Sequence, residues 1–170
     1  MVNRQLMSAV IVAAAATALA SVILATPGSG TTGIVAARAA FADVVDLKFS
    51  IRDDHRGRDN IQVRNAGDTI MQQITFAPGG FSGWHSHPGP AVVLIKSGQL
   101  TFYDGDDETC SGRTFLAGQA LIDSGQGHVH FALNQATTPA EVWVTYFDVP
   151  SGTGSMGVRD DAPAPGNCPF

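Results

Sequence analysis

Four of the five histidines in this 170-residue chain lie in two short segments, and they are the side chains best suited to chemistry. One segment contains His85 and His87, and the other contains His128 and His130. Because residues i and i+2 of a strand project from the same face, each pair can direct two imidazoles at one point. Neutral imidazole is the commonest metal ligand among protein side chains. Two such pairs therefore predict a metal site.

The sequence around both pairs resembles the two motifs of the cupin superfamily. The segment from Pro78 to Gly98 matches the first motif, in which Gly, five residues and His-x-His are followed by a closing Gly. The segment from Gly118 to Asn134 is similar to the second motif, with a turn at 125–127 and a matching His130-x-x-x-Asn134 spacing. Over residues 61–150 this resemblance implies an all-β fold, an antiparallel double-sheet barrel (jelly roll) of six to eight strands. A metal ion would lie inside the barrel.

The cupin motif would also supply a glutamate ligand at residue 91 or 92, and this chain departs from it there. Ala91 and Val92 occupy those positions, and neither side chain can bind a metal. The resemblance therefore implies a site of three histidines, His85, His87 and His130, without a carboxylate. Gly125 stands where the family prefers proline, and glycine permits the same turn.

Three further residues are candidates to orient these imidazoles or to add a fourth ligand. His128 precedes His130 by two residues, so it faces the same side if the strand is regular. Gln73 and Asn134 are candidates for hydrogen bonds to ligating imidazoles. The alternative for Gln73 is a surface amide on a strand, and the alternative for Asn134 is a structural role in a turn.

A three-histidine site would leave a divalent ion with its full charge and with open positions. The donor set suits Mn, Fe, Zn, Cu, Ni or Co without choosing among them. A redox metal would suit an oxygenase and a non-redox metal a hydrolase or isomerase, in each case acting on a small oxygenated substrate. The competing hypothesis is a non-catalytic barrel that binds a small ligand, with or without metal, because cupins have many functions.

Short apolar runs separated by Gly, Pro, Asn and Asp turns provide the elements that would position these histidines. Runs of this length and spacing are typical of an antiparallel sandwich or barrel. Residues 26–60 are predicted to be an N-terminal arm with at least one edge strand and a charged loop, Arg52–Asn60, which contains His55. Residues 151–170 form a Gly/Pro-rich tail. The seven predicted strand cores are Ile70–Phe76, Ala91–Lys96, Gln99–Tyr103, Arg113–Leu116, Ala120–Ile122, Val129–Leu133 and Glu141–Val149.

The N-terminus has the pattern of an export signal. An uncharged apolar stretch, Leu6–Ala25, follows Arg4 and precedes a Pro-Gly turn. Residues 1–25 are therefore predicted to form a signal helix, either cleaved as a signal peptide or kept as a membrane anchor. Possible cleavage points follow Ala25 and Ala42. Thr26–Gly30 resembles the start of mature small, exported bacterial cupins, which favours cleavage after Ala25. The protein is then expected to be secreted or otherwise extracytoplasmic.

The two cysteines fit this location. Cys110 and Cys168 both lie in the exported part, where an oxidising compartment favours a disulfide between them. Such a bond would tether the C-terminal tail to the barrel. A cysteine metal site is disfavoured, because neither cysteine has a partner at ligand spacing.

Charge narrows the range of partners. The chain has 10 basic and 15 acidic residues and a formal net charge of -5, without a basic run. Binding to the nucleic-acid backbone needs clustered Lys and Arg, so a nucleic-acid partner is not expected. The remaining partners are a small molecule, a membrane through residues 1–25 if they are uncleaved, and a second copy of the chain in a homodimer.

Overall fold

The computed structural model describes residues 25–53 and 57–170. The predicted signal segment up to residue 24, and His55, lie outside the described residues. Within the described ranges, no helix has both the length and the apolar character needed to cross a membrane.

Twelve strands and one short 3-10 helix, Gly154–Val158, make up the regular structure of the described residues. All seven predicted strand cores correspond to strands; several are longer than predicted, and the core predicted to begin at Val129 begins at His130. In chain order the strands are β1 (Ser29–Ala39), β2 (Leu47–Asp53), β3 (Gly57–Val63), β4 (Asp68–Phe81), β5 (His85–Ser86), β6 (Ala91–Ser97), β7 (Gln99–Asp104), β8 (Arg113–Leu116), β9 (Ala120–Asp123), β10 (His130–Leu133), β11 (Ala140–Val149) and β12 (Asp160–Asp161).

Ten of these strands form a nearly closed antiparallel barrel, which confirms the predicted fold class. One half consists of β1, β4, β11, β6 and β9 in that order, and the other contains β12, β5, β10, β7 and β8. The halves are joined where Leu133 of β10 pairs with Phe81 of β4. The main apolar core lies between them and includes Ile70, Val93, Leu100, Val142 and Val144.

The N-terminal arm contributes two strand pairings. β1 runs antiparallel along β4 and forms the predicted edge strand. The described residues of the predicted charged surface loop Arg52–Asn60 are mostly exposed, but they belong to paired strands rather than to a loop, because Ser50 pairs with Asn60 and Arg52 with Arg58 in the β2–β3 hairpin. Apolar residues at the base of the hairpin, Ile61 and Val63, are buried. This anchoring lets the charged residues beyond them continue the ladder.

The C-terminal tail is packed into the fold. Cys110 and Cys168 form a disulfide with a Cα–Cα distance of 5.3 Å. β12 pairs with β5, and Val158 belongs to the main core. A second cluster joins the fully buried Trp84 to Cys168 and Phe131, with the ring of Phe170 stacked on Trp84. The tail therefore covers the segment that carries the first histidine pair.

Candidate metal centre

The structure brings His85, His87 and His130 together inside the barrel. Their ring centroids are 4.3 Å (His85–His130), 4.9 Å (His85–His87) and 5.1 Å (His87–His130) apart. One potential ligand nitrogen from each ring lies within 4.8 Å of the other two. The predicted convergence is therefore found for His85, His87 and His130, whereas His128 lies outside this group.

Backbone pairing holds the two histidine segments side by side. His130 of β10 and Asp161 of β12 pair with His85 from opposite sides, so the short β5 lies between two strands. The Gln126 N–H donates to the His87 carbonyl at 2.8 Å. Gly125 has a φ of 61°, and a Cβ there would lie 1.9 Å from the Gly89 carbonyl oxygen. Glycine is thus required where the loop before β10 approaches the loop after His87.

Hydrogen bonds fix the tautomers of two of the imidazoles. His85 Nδ1 donates to the Gly83 carbonyl at 2.9 Å, and His87 Nδ1 donates to the Val158 carbonyl at 2.5 Å. Because a carbonyl can only accept, both rings carry their proton on Nδ1 and keep a lone pair on Nε2. The buried Nδ1 of His130 makes no hydrogen bond in the described structure. Hydrogen bonds thus orient the rings of His85 and His87 through Nδ1, in the way that metal-ligating histidines are oriented through the nitrogen not used for the metal.

Burial keeps the imidazoles neutral. It is the main cause that lowers the pKa of His85 well below its ordinary value, and the neighbouring imidazoles lower that pKa further. Burial followed by His130 lowers the pKa of His87 to about 4. Burial also lowers the pKa of His130, although Asp123 opposes this shift. All three rings thus have the protonation state that metal binding requires at neutral pH.

The stability of the metal-free protein is expected to fall in acid for the same reason. A histidine whose pKa is lower in the folded state stabilises the fold fully above its unfolded pKa and loses that contribution as the pH falls through the folded value. For His87 this window runs from 6.5 down to about 4. Because His87 is buried, the shift of its pKa across this window is expected to lower the free energy of unfolding by about 3 kcal/mol at the acid end. Urea unfolding across this range, with chelator present, measures the loss, and His87→Gln should reduce it.

A buried carboxylate, absent from the predicted set of site residues, lies beside the three histidines. Asp123, at the end of β9, has Oδ1 3.5 Å from His130 Nδ1 and Oδ2 3.9 Å from His87 Nε2. Burial alone would raise the pKa of Asp123, but His130 and His128 lower it, so the net pKa lies below its usual value. Sequence reasoning missed Asp123 because it ends an apolar run and belongs to neither His-x-His pair. Its place just before the second histidine turn was the available signal.

His128 lies outside the three-histidine group but contacts it through Asp123. It precedes β10, and its Nδ1 is 2.8 Å from Asp123 Oδ1. Its Nε2 is 3.3 Å from Asp104 Oδ1. His128, Asp123 and His130 also form a second group that could hold a metal. Of the two roles predicted for His128, the geometry therefore favours orientation through Asp123.

Gln73 and Asn134 do not contact the histidines. Gln73 donates to Glu141 Oε1 at 3.0 Å, which the Trp143 indole also contacts, whereas its neighbour Gln72 lines the cavity. Alternation along β4 thus directs Gln73 to the outer face. Asn134 is fully buried, and its Nδ2 donates to three backbone carbonyls of the adjoining turns. For both residues the structure shows the alternative, purely structural role.

The three histidines line a cavity of about 570 Å³ between the two halves of the barrel. Its polar residues include Gln72, Thr31 and two residues of the tail, Arg159 and Asp161. Arg159 donates to Asp161 Oδ1 and to the Ser82 carbonyl. The rest of the wall is mostly apolar and includes Ile74, Phe76, Val93, Leu100, Phe102, Val142, Val144 and Tyr146. A cavity of this kind suits a small molecule held by a few polar groups.

Comparisons with known proteins find the same class of barrel. No protein-family model matches the chain, and no curated protein matches it. Solved structures similar to it are cupin-type double-stranded β-helix proteins. The fold and the inward-facing histidines together define a barrel of this type with a candidate metal centre.

Three of these structures illustrate the likeness. An oxalate oxidase is 27% identical over 47% of this chain, with a TM-score of 0.41. The chain spans only 41% of the length of that protein. An uncharacterised Klebsiella pneumoniae protein with a double-stranded β-helix domain is 21% identical over 55% of this chain and 74% of its own, with a TM-score of 0.44. The polyketide cyclase RemF from Streptomyces resistomycificus is 14% identical over 72% and 69% of the two chains, with a TM-score of 0.45.

Proposed function

We propose that this protein is an exported metalloprotein in which His85, His87 and His130 bind one divalent transition metal. The observation that supports it best is the convergence of three buried imidazoles on one point within a cavity. The residues fit such an ion, because two rings have fixed Nε2 lone pairs and the third has a buried nitrogen without a hydrogen-bond partner. The donor set is compatible with Mn, Fe, Zn, Cu, Ni or Co.

The proposed activity is that of a metal-dependent oxygenase or isomerase acting on a small oxygenated substrate. The bound ion would supply Lewis acidity to the substrate and, if it is a redox metal, an electron source. The protein's part is to keep three imidazoles neutral and oriented. Its aliphatic and aromatic wall would exclude water from the bound molecule. Gln72 and Arg159 supply polar contacts at the same wall.

Two features support the proposal of export. The apolar stretch 6–25 has the pattern of a signal sequence. The Cys110–Cys168 disulfide is the kind of bond that persists in oxidising compartments. N-terminal sequencing of the mature protein from the culture medium and from the membrane fraction tests this, and cleavage after Ala25 is the expected result.

The metal proposal is tested by elemental analysis of protein purified without chelator and without nickel affinity resin. We expect about one equivalent of a transition metal per chain. Iron or manganese would direct the next assay to oxygen uptake, and zinc to hydrolysis or isomerisation. Protein that stays metal-free after growth in metal-supplemented medium would contradict the proposal.

A non-catalytic ligand-binding barrel is the second candidate function. The observation that favours it is the mostly apolar cavity wall, whose Arg159 is already paired with Asp161. A ligand bound only to the folded state raises the melting temperature. A panel of small oxygenated compounds that raises the melting temperature without any turnover would therefore favour this candidate over the enzyme.

A further inference from the structure

Strand register places a carboxylate opposite the position at which the sequence lacks its expected glutamate. Ala91 begins β6 and is fully buried, and its methyl group offers no metal ligand. Its cross-strand partner in β9 is Asp123. Directly opposed residues of an antiparallel pair share one face of the sheet, with Cβ atoms about 4.5–5.5 Å apart. The Asp123 carboxylate therefore starts beside the position that a glutamate at residue 91 would occupy.

We propose that Asp123 is a ligand of the metal ion together with His85, His87 and His130, and that it replaces the glutamate absent at position 91. The inference rests on the metal site of the proposed function and changes its chemistry. An anionic oxygen ligand would lower the net charge of the bound ion and fill one of its open positions.

The two oxygens of Asp123 have different neighbours. Oδ1 accepts a hydrogen bond from His128 Nδ1 at 2.8 Å. Oδ2 lies 3.9 Å from His87 Nε2, the nitrogen that keeps its lone pair because Nδ1 is bound to the Val158 carbonyl. The other contact of Oδ2 is a long hydrogen bond of 3.3 Å from the Gly125 N–H. Oδ2 is thus the oxygen nearer to the lone pair of His87, while Oδ1 is bound by His128. Asp123 forms a group of potential ligand atoms within 4.8 Å with His128 and His130 but not with His85 and His87, so its ligation requires the carboxylate to move toward those two rings.

Charge balance favours a cation at this place. Asp123 is buried, and a buried carboxylate is costly unless a positive charge is paired with it. Among residues 25–53 and 57–170, its ion-pair partners are His87, His128 and His130 rather than any Lys or Arg. A divalent cation between Oδ2 and His87 Nε2 would place positive charge beside the carboxylate oxygen that His128 does not contact.

The test compares zinc affinities of purified full-length proteins by competition with a fluorescent chelator. Asp123→Asn keeps the shape of the side chain but removes its charge, and we expect it to weaken zinc binding by about 100-fold. The double variant Asp123→Ala/Ala91→Glu moves the carboxylate to the opposite strand, and its zinc affinity should return to within about tenfold of the parent.

Two more variants complete the design. Asp104→Asn is the matched control, because the Asp104 carboxylate lies 3.3 Å from His128 Nε2 and is not part of the three-histidine group, and its zinc affinity should stay within about threefold of the parent. Asp123→Glu keeps the carboxylate, and its zinc affinity tests the same ligand role if the asparagine variant does not fold. Urea unfolding of each metal-free variant checks the fold.

Each outcome decides the proposal. Weakened binding in Asp123→Asn and recovery in the double variant support a ligand role. Weakened binding without recovery would overturn it in favour of a residue that only positions His130. Unchanged affinity in Asp123→Asn would also overturn it and leave the three-histidine site standing. Failure of the parent to bind zinc would overturn both the inference and the proposed function.

Discussion

Replacing both His85 and His130 by alanine is expected to abolish metal binding while leaving the barrel folded. The two rings come from different strands and are 4.3 Å apart, so the double variant leaves His87 as the only imidazole of the three-histidine group. One imidazole, even with the Asp123 carboxylate beside it, offers too few ligands to hold a divalent ion against solvent. Elemental analysis should find about one equivalent of metal in the parent and none in the variant.

The same pair of proteins should differ in how metal affects stability. A metal that binds only the folded state, at a free concentration of 1,000 times its dissociation constant, stabilises the fold by about 4 kcal/mol. The parent should therefore gain melting temperature on addition of its metal, and the double variant should not. Gln73→Ala is the control, since Gln73 contacts Glu141 on the outer face. Equal metal content in the parent and the double variant would refute the site.

The histidines could be predicted from sequence because the spacing that directs them to one face lies within a single strand segment. Spacing of two along a strand puts His85 and His87 on one face, and the motif resemblance adds His130. The strand cores follow from local alternation and turn residues in the same way. The outward orientation of Gln73 could also be predicted, because Ile70, Ile74 and Phe76 show that the even-numbered residues of this part of β4 face the core.

The ligand role proposed for Asp123 could not be predicted, because its position opposite Ala91 depends on which strands pair. Nothing local shows that β9 lies beside β6, or that Asp123 opposes Ala91. A shift of the register by one residue would direct the carboxylate to the other face. Sequence motifs therefore identify ligands within a strand better than a ligand that replaces a missing one from the neighbouring strand.

The role of the tail could not be predicted from its local sequence either. Gly and Pro content indicates a loose segment, and the cysteines indicate only where it is fixed. The structure adds three contacts near the site: Val158 accepts from His87, Asp161 pairs with His85, and Arg159 lines the cavity. These contacts link the disulfide to the metal centre.

Removal of the disulfide by Cys110→Ser/Cys168→Ser is therefore expected to lower both the stability and the metal affinity. The cysteines are 58 residues apart, and closing a loop of that length contributes about 4 kcal/mol in the chain-entropy description. Urea unfolding of the metal-free parent and variant measures this difference. Reduction of the parent by a phosphine should reproduce the stability of the variant.

The effect on metal binding follows from the contacts of the tail. Without the bond, Val158 and β12 are held by packing, by short backbone pairings such as the Ala162 N–H donating to the Trp84 carbonyl, and by side-chain hydrogen bonds such as that from Arg159 to the Ser82 carbonyl. Fraying there would free His87 Nδ1 from its carbonyl and allow the ring to turn. Loss of such an orienting partner weakens metal binding by about 10- to 100-fold.

Phe170→Ala, which keeps the disulfide but removes the ring stacked on Trp84, should lower stability with a smaller loss of affinity. If the serine variant loses stability but binds metal as tightly as the parent, the tail serves the fold alone. A parallel loss of affinity would instead make the tail part of the metal centre.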